Sequence, residues 1–315
     1  MGPLVFVLLA WSLYKKVYMQ PDFSNRWQHI KESIHNPLLW LVLLLMLVNW
    51  ALESRKWQLL AAPLEKISFP TAVKSVLAGC SITMLTPNRI GEYGGRILYM
   101  QEQNRLKAIS HTILGSMSQL FVTLIMGSVG LFYFRFISNE GKMLNVLISP
   151  FLLNILLYIS VLVSVGLLML YLRAGFLVTL IHKAGVFKKF VKYIEHLGDF
   201  SRKQLLRILF LSILRYMVFI LQYMLLLHVM QVTLNPVLCF WLLAIYYWLL
   251  AFTPTIGFTE LPIRATASVQ LLQVFTANIL GIEVASFAIW LINLVLPAIL
   301  GSILILKLKI IKEND

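Results

Sequence analysis

The residues best suited to chemistry in this chain crowd into one stretch, Thr86-Pro87-Asn88-Arg89-Ile90-Gly91-Glu92-Tyr93-Gly94-Gly95-Arg96, set between two hydrophobic segments. Arg89, Glu92 and Arg96 supply charge, while Pro87 and the glycines Gly91, Gly94 and Gly95 interrupt regular structure. A shorter echo returns about 167 residues later as Thr253-Pro254-Thr255-Ile256-Gly257, followed by Glu260, Pro262 and Arg264. Guanidinium groups pair bidentately with phosphate oxygens, so two arginines beside free backbone N–H groups suit an anion such as a phosphodiester headgroup. Glu92 and Glu260 suit a cationic group, either an amine or an aminoacyl ester, or else a coupled proton; the residues leave both roles open. Glu92 and Arg96 stand four apart, within ion-pair reach on a helix, and the glycines allow tight turning. An interfacial loop whose charges touch only water and headgroups is the plainer alternative. The recurrence of the pattern in the second half favours a pair of broken helices facing a shared polar cavity.

One further cation stands out. Arg215 lies about ten residues into an apolar run and needs a partner or a cavity there. The expected substrate-binding side chains are therefore Arg89, Glu92, Arg96, Arg215, Glu260 and Arg264. The expected motif backbone comprises Thr86, Pro87, Gly91, Gly94, Gly95, Thr253, Pro254 and Gly257. His111, near Lys107 at a helix start, reads as a headgroup contact as readily as a site residue. The sequence contains no adjacent nucleophile–histidine–acid pattern, metal cluster, phosphate loop or dinucleotide fingerprint, so no catalytic residue, cofactor or metal is assigned.

These charges matter because the rest of the chain is so apolar. Of 315 residues, 59% are hydrophobic and only 13% charged, with a mean hydropathy of +0.82. Soluble domains sit nearer half apolar and a quarter charged, so lipid must solvate much of this surface. The net charge of +14 does not indicate nucleic acid, because lysines and arginines gather in connectors between apolar runs and after the last one. That is the pattern of cytoplasmic loops facing anionic lipid. Cys80 and Cys239 each sit in an apolar run and read as packing residues.

The elements that must position the charges follow from the hydropathy pattern. Residues 3–19, apolar and then Lys15-Lys16, lack the cleavage site of a signal peptide and read as a retained first span. Pro21–His35 reads as an interfacial helix or a polar loop. Spans are expected over Pro37–Leu52, Leu106–Phe134, Pro150–Leu172, Leu205–Met230 and Val284–Leu306, with Asn49 and Glu53 at the exit of the first and Arg55 and Lys56 in the connector after it. Thr71–Leu85 would reach only about 22 Å as helix against a hydrocarbon core of about 30 Å, so it reads as half of a re-entrant hairpin ending at the first Thr-Pro. Leu234–Phe252 ends at the second Thr-Pro, and Pro262–Leu280 follows it. The stretch 173–207 carries eight basic residues against Glu195 and Asp199 and is expected in the cytoplasm.

The expectation is an all-α polytopic integral membrane protein, a single membrane domain over 1–315. It has about six full spans and two broken or re-entrant helical hairpins. Three crossings between the hairpins would invert the second relative to the first, giving an inverted repeat with halves at 37–134 and 205–306. Both termini then lie in the cytoplasm. The 15–36 segment, with four basic and two acidic residues, would fall outside, against the charge rule.

The stretch Thr86–Arg96, with its echo at Thr253-Pro254 and Ile256-Gly257, resembles the transmembrane region of the lysylphosphatidylglycerol synthase/flippase family over roughly residues 5–307. Pro87, Ile90, Gly91 and Glu92 match the family pattern in the first half, as do Pro254, Ile256 and Gly257 in the second. Asn88, Arg89 and Thr255 stand where glycines are customary, and Glu260 comes later than the usual acid. The resemblance implies a domain that moves modified lipid between leaflets. In the fused members aminoacyl transfer belongs to a separate soluble domain, so the resemblance does not lead us to expect lysyl transfer of this membrane region itself. The expectation is a lipid translocase in the cell membrane acting on an anionic or aminoacylated phospholipid or related lipid-linked substrate, with oligomeric state open and a homodimer allowed. Two rivals are a membrane enzyme acting on a lipid-linked sugar or phosphate, and a non-catalytic partner of an envelope synthase.

Overall fold

The computed structural model describes residues 23–84, 86, 90–144, 147–173, 200–254 and 257–313, with backbone alone at a few of these. Two expected features, the 3–19 span and most of the basic 173–207 loop, lie outside the described residues. Every regular element among the described residues is helical. In order they are α1 (Phe23–Ser33), α2 (Leu38–Ala61), α3 (Phe69–Thr83), α4 (Gly91–Ile97), α5 (Arg105–Phe132), α6 (Gly141–Leu144), α7 (Pro150–Leu172), α8 (Arg202–Val229), α9 (Pro236–Phe252), α10 (Gly257–Leu272), α11 (Ile279–Trp290) and α12 (Leu296–Glu313). Five helical stretches are long and apolar enough to cross a membrane: α2, α5 with its flanking turns, α7, α8, and α11 running into α12. They correspond to the five expected spans among the described residues. Side chains such as Phe151, Tyr158 and Leu162 on α7 are largely exposed, and lipid is the solvent that suits them.

Local sequence sets the helix ends. Ser68 caps α3 by accepting from Thr71 N at 3.3 Å, with Pro70 in the first turn. Asn235 caps α9, accepting from Val237 N at 2.9 Å, and Pro236 follows at the first helical position, where its missing N–H costs nothing. Asn278 caps α11 through Gly281 N at 3.0 Å. Between α11 and α12 the chain widens into a π-helical turn over Leu291–Val295, just before Pro297, which has no N–H to donate back to Asn293.

Two elements differ from the sequence-based expectation, and a third decides between its two alternatives. α2 does not stop at Leu52 but continues to Ala61, so Glu53, Arg55 and Lys56 are helical rather than parts of an exit or connector. The second motif opens α10 at Gly257, with Pro262 inside the helix, and α10 ends at Leu272 instead of running on to Leu280. Pro21–His35 contains a helix, α1, which packs on α11.

The chain forms two compact units. One comprises Met1–Leu47, Thr123–Leu162 and Met217–Asn293; the other comprises Val48–Val122, Val163–Tyr216 and Leu294–Asp315. Each draws on both the 37–134 and the 205–306 stretches, and α2, α5, α7 and α8 each give a segment to both. In the second unit α3 packs against α4 and α12, and Ser81 and Ser302 share a hydrogen bond of 2.6 Å. Its apolar core gathers Trp57, Leu60, Val76, Leu114, Tyr171 and Ile208. In the first unit Ser160 links α7 to α5 and α9 through Ser128 Oγ at 2.6 Å and Trp248 Nε1 at 2.7 Å. Such inter-helix hydrogen bonds are favoured where no water competes.

Candidate functional site: a buried ion cluster

The first motif is built as a helical hairpin, α3 and α4, closed by Thr86. Its Oγ1 accepts from Gly91 N at 2.7 Å and lies 3.3 Å from Ile82 O. The amide expected to point into a cavity is thus occupied at the start of α4. Gly91 and Gly95 serve close packing: a Cβ on Gly91 would strike the backbone of Ile82, and one on Gly95 the backbone of Gly79. Gly94 has no such constraint, its nearest neighbour being Ile82 Cδ1 at 3.9 Å from a Cβ placed there. The spacing of Gly91 and Gly95 lets two helices touch backbone to backbone, as small residues four apart do in membranes.

That contact brings Glu92 and Arg96 against α2. Arg96 is 1% exposed and pairs with Glu92 within α4 and with Glu53 Oε1 on α2 at 2.5 Å. The other oxygen of Glu53 meets Lys56 Nζ at 2.8 Å and Arg215 Nη1, from α8, at 2.9 Å. Arg215 Nε also donates to Asn49 Oδ1 at 2.8 Å. Two tryptophans complete the surround: the Arg96 guanidinium lies 5.0 Å from the Trp57 ring centre and that of Arg215 lies 5.7 Å from Trp50, distances suited to cation–π attraction. Glu53 thus sits among three cations, and with Glu92 the cluster holds a formal excess of one positive charge. Only Glu92 is appreciably open, its side chain 26% exposed.

Asn49, Glu53 and Lys56 escape a reading based on apolar runs because charge ends such a run. Their signal is periodicity: spaced four and three apart, with Trp50 and Trp57 alongside, they mark one inward face of a continuing helix. His111 is fully buried, with Nδ1–H donating to Leu60 O at 2.7 Å and its ring edge-on to Phe200, so it is a core residue and not a headgroup contact.

The second motif repeats the acid–arginine pairing in the other unit. Arg264 Nε donates to Glu260 Oε1 at 2.8 Å, and its Nη2 is ion-paired with the same oxygen at 2.7 Å. Nearby in the same unit, Tyr223 OH and Ser268 Oγ share a hydrogen bond of 2.6 Å. Thr253 ends α9 by donating from Oγ1 to Leu249 O at 2.9 Å, and Pro254 is exposed beyond it. Of the expected binding residues, Glu92, Arg96 and Arg215 are joined in one cluster, whereas Glu260 and Arg264 form a separate pair. Arg89 and Pro87 lie outside the described residues, and Gly257 is the first residue of α10. Among the described residues no group of three metal-ligating side chains occurs.

A family model described as the lysylphosphatidylglycerol synthase TM region matches residues 1–301. No curated protein and no solved structure matches the chain at a significant level. With apolar helices long enough to span a bilayer and a match over nearly its whole length, this membrane protein belongs to the lysylphosphatidylglycerol synthase transmembrane-region family.

Proposed function

We propose that this protein moves an anionic or aminoacylated phospholipid, or a related lipid-linked substrate, between leaflets of the cell membrane. The observation that carries the reading is the buried cluster of Glu53, Lys56, Arg96 and Arg215, with Glu92 at its edge. Charges in membrane-spanning segments are costly and mark substrate or ion pathways. The excess positive charge, and the Nε and Nη1 donors of Arg96 that lack a hydrogen-bond partner, suit a phosphate oxygen. Arg89 joins these cations in the proposal as a further phosphate contact. Glu92, with its partly open carboxylate, takes the amine of an aminoacyl headgroup. Glu260 and Arg264 repeat the acid–arginine pair in the second motif. The family name supports a lipid of this class.

The two hairpins are read as re-entrant and inverted. α3 and α9 have 15 and 17 residues, roughly 22 and 26 Å, short of a hydrocarbon core of about 30 Å. Three long helices, α5, α7 and α8, separate the motifs, and an odd number of crossings reverses orientation. With the N-terminal span this gives about six crossings and cytoplasmic termini, the basic 173–207 loop lying inside.

The test is reconstitution in liposomes with labelled anionic, aminoacylated and zwitterionic lipids, with and without a proton gradient. The wild type is expected to transfer an anionic or aminoacylated lipid, and Glu92→Gln and Arg96→Ala to slow it at least about tenfold, a loss of roughly 1.4 kcal/mol in transition-state stabilisation. Failure to move any lipid of the panel overturns the reading. The completeness of Glu53's pairing favours a second one, a non-catalytic membrane partner held rigid by the cluster. Under that reading Glu92→Gln keeps full function in the cell while a stable partner co-purifies.

A further inference from the structure

The same helix segment that turns Glu53 and Lys56 inward turns Arg55 outward, toward a groove with no part in the ion cluster. This groove, about 510 Å³ in volume, is lined by Arg55 and Leu59 of α2 and by Lys203, Leu206, Arg207 and Phe210 of α8. Its size falls within the ~300–1,000 Å³ typical of small-ligand sites. The residues from α8 recur at three- and four-residue spacing, which places them on one face of the helix. Among the described residues the lining carries three cations and no acid. Arg55 donates to Gln58, and no carboxylate among the described residues pairs with Lys203 or Arg207.

The apolar half of the lining is open as well. Leu206 and Phe210 are 56% and 58% exposed, an arrangement that suits an occupant carrying both an anion and a hydrocarbon chain. Helix length fixes the level. The 28 residues of α8 span about 42 Å at 1.5 Å per residue, beyond a hydrocarbon core of ~30 Å and close to the ~40–45 Å that includes both headgroup layers. Lys203 and Arg207, in its first two turns, therefore stand at phosphate depth, and Phe210 lies one turn further toward the acyl chains. A basic cleft at the membrane surface, continued by apolar side chains, is the chemistry that holds an anionic phospholipid.

From this charge complementarity we infer that the α2–α8 groove is a docking site for one anionic phospholipid, its phosphodiester among Arg55, Lys203 and Arg207 and an acyl chain along Leu206 and Phe210. The site is separate from the ion cluster and stands or falls without the transport reading. It is tested on the full chain in lipid nanodiscs by native mass spectrometry. Phosphatidylglycerol and phosphatidylcholine are compared as ligands, and inorganic phosphate serves as a competitor.

The expected result is preferential retention of phosphatidylglycerol, weakened about fivefold per charge removed, hence about twenty-fivefold in Lys203→Gln/Arg207→Gln. Lys203→Arg/Arg207→Lys keeps it. A photoreactive aromatic at position 210 should cross-link to the acyl chain, which a fold disturbed by the charge changes would not explain. Equal retention of phosphatidylcholine, displacement by inorganic phosphate, unchanged affinity in the double variant, or no cross-link to lipid each overturns the inference. Wild-type protein that transfers no lipid in liposomes yet retains phosphatidylglycerol in this groove bears on the ion cluster alone.

Discussion

Glu53 is the residue on which the second unit's polar interior converges. Its two oxygens meet Lys56, Arg96 and Arg215, so removing it leaves three buried cations facing one another. Breaking a buried pair from one side costs about 3–5 kcal/mol. Glu53→Ala is therefore expected to lower unfolding stability in detergent by that amount, read as the shift of a thermal or denaturant midpoint. Glu53→Gln/Lys56→Gln should lose less than the sum of the two single changes, because one cation leaves with the acid. An unaltered midpoint in Glu53→Ala would show that water already reaches the cluster. The Glu92–Arg96 pair was legible in the sequence from its four-residue spacing. Glu53 as its third member was not, since the two residues that meet, Glu53 and Arg96, lie on separate helices and nothing local links them.

Among the elements, the α3–α4 hairpin depends on which glycine faces which backbone. The sequence shows Gly94 and Gly95 as equivalent breakers, but only Gly95 abuts Gly79. Overpacking at a close contact costs typically about 1–3 kcal/mol. Gly95→Ala should part the hairpin, lowering the thermal midpoint and drawing Arg96 from Glu53, while Gly94→Ala should be tolerated or slightly stabilising through its helix propensity. Equal midpoints for the two variants would refute this division of roles. Helix starts are set locally, Ser68, Asn235 and Asn278 capping α3, α9 and α11 through bonds to residues two or three positions on, yet a reading by apolar runs carried Pro262–Leu280 straight through the Asn278 cap. The length of α2 was hidden, because Glu53, Arg55 and Lys56 end an apolar run without ending a helix whose charges find partners.

For the whole molecule, the decisive property is the sidedness of the two motifs. Cysteines introduced as Gln103→Cys, after α4, and Ala277→Cys, after α10, should react with an impermeant thiol reagent from opposite faces of a sealed vesicle, the former from the cytoplasmic side. Labelling of both from one side would remove the inverted repeat. The native Cys80 and Cys239 are buried and leave a clean background. By itself the sequence determined that the chain is a helical membrane protein, where its long helices run, where two Thr-Pro breaks interrupt it, and which family motif it carries. All of these are written in hydropathy and in helix-breaking residues, properties of consecutive positions. Only the tertiary structure decided that Asn49, Glu53 and Lys56 belong with Arg96 and Arg215, that Gly95 is a contact rather than a turn, and that Arg55 faces a groove with Lys203 and Arg207. Those facts depend on which helix faces pack together, and a buried charge selects its partner by distance in space, which the order of residues does not record.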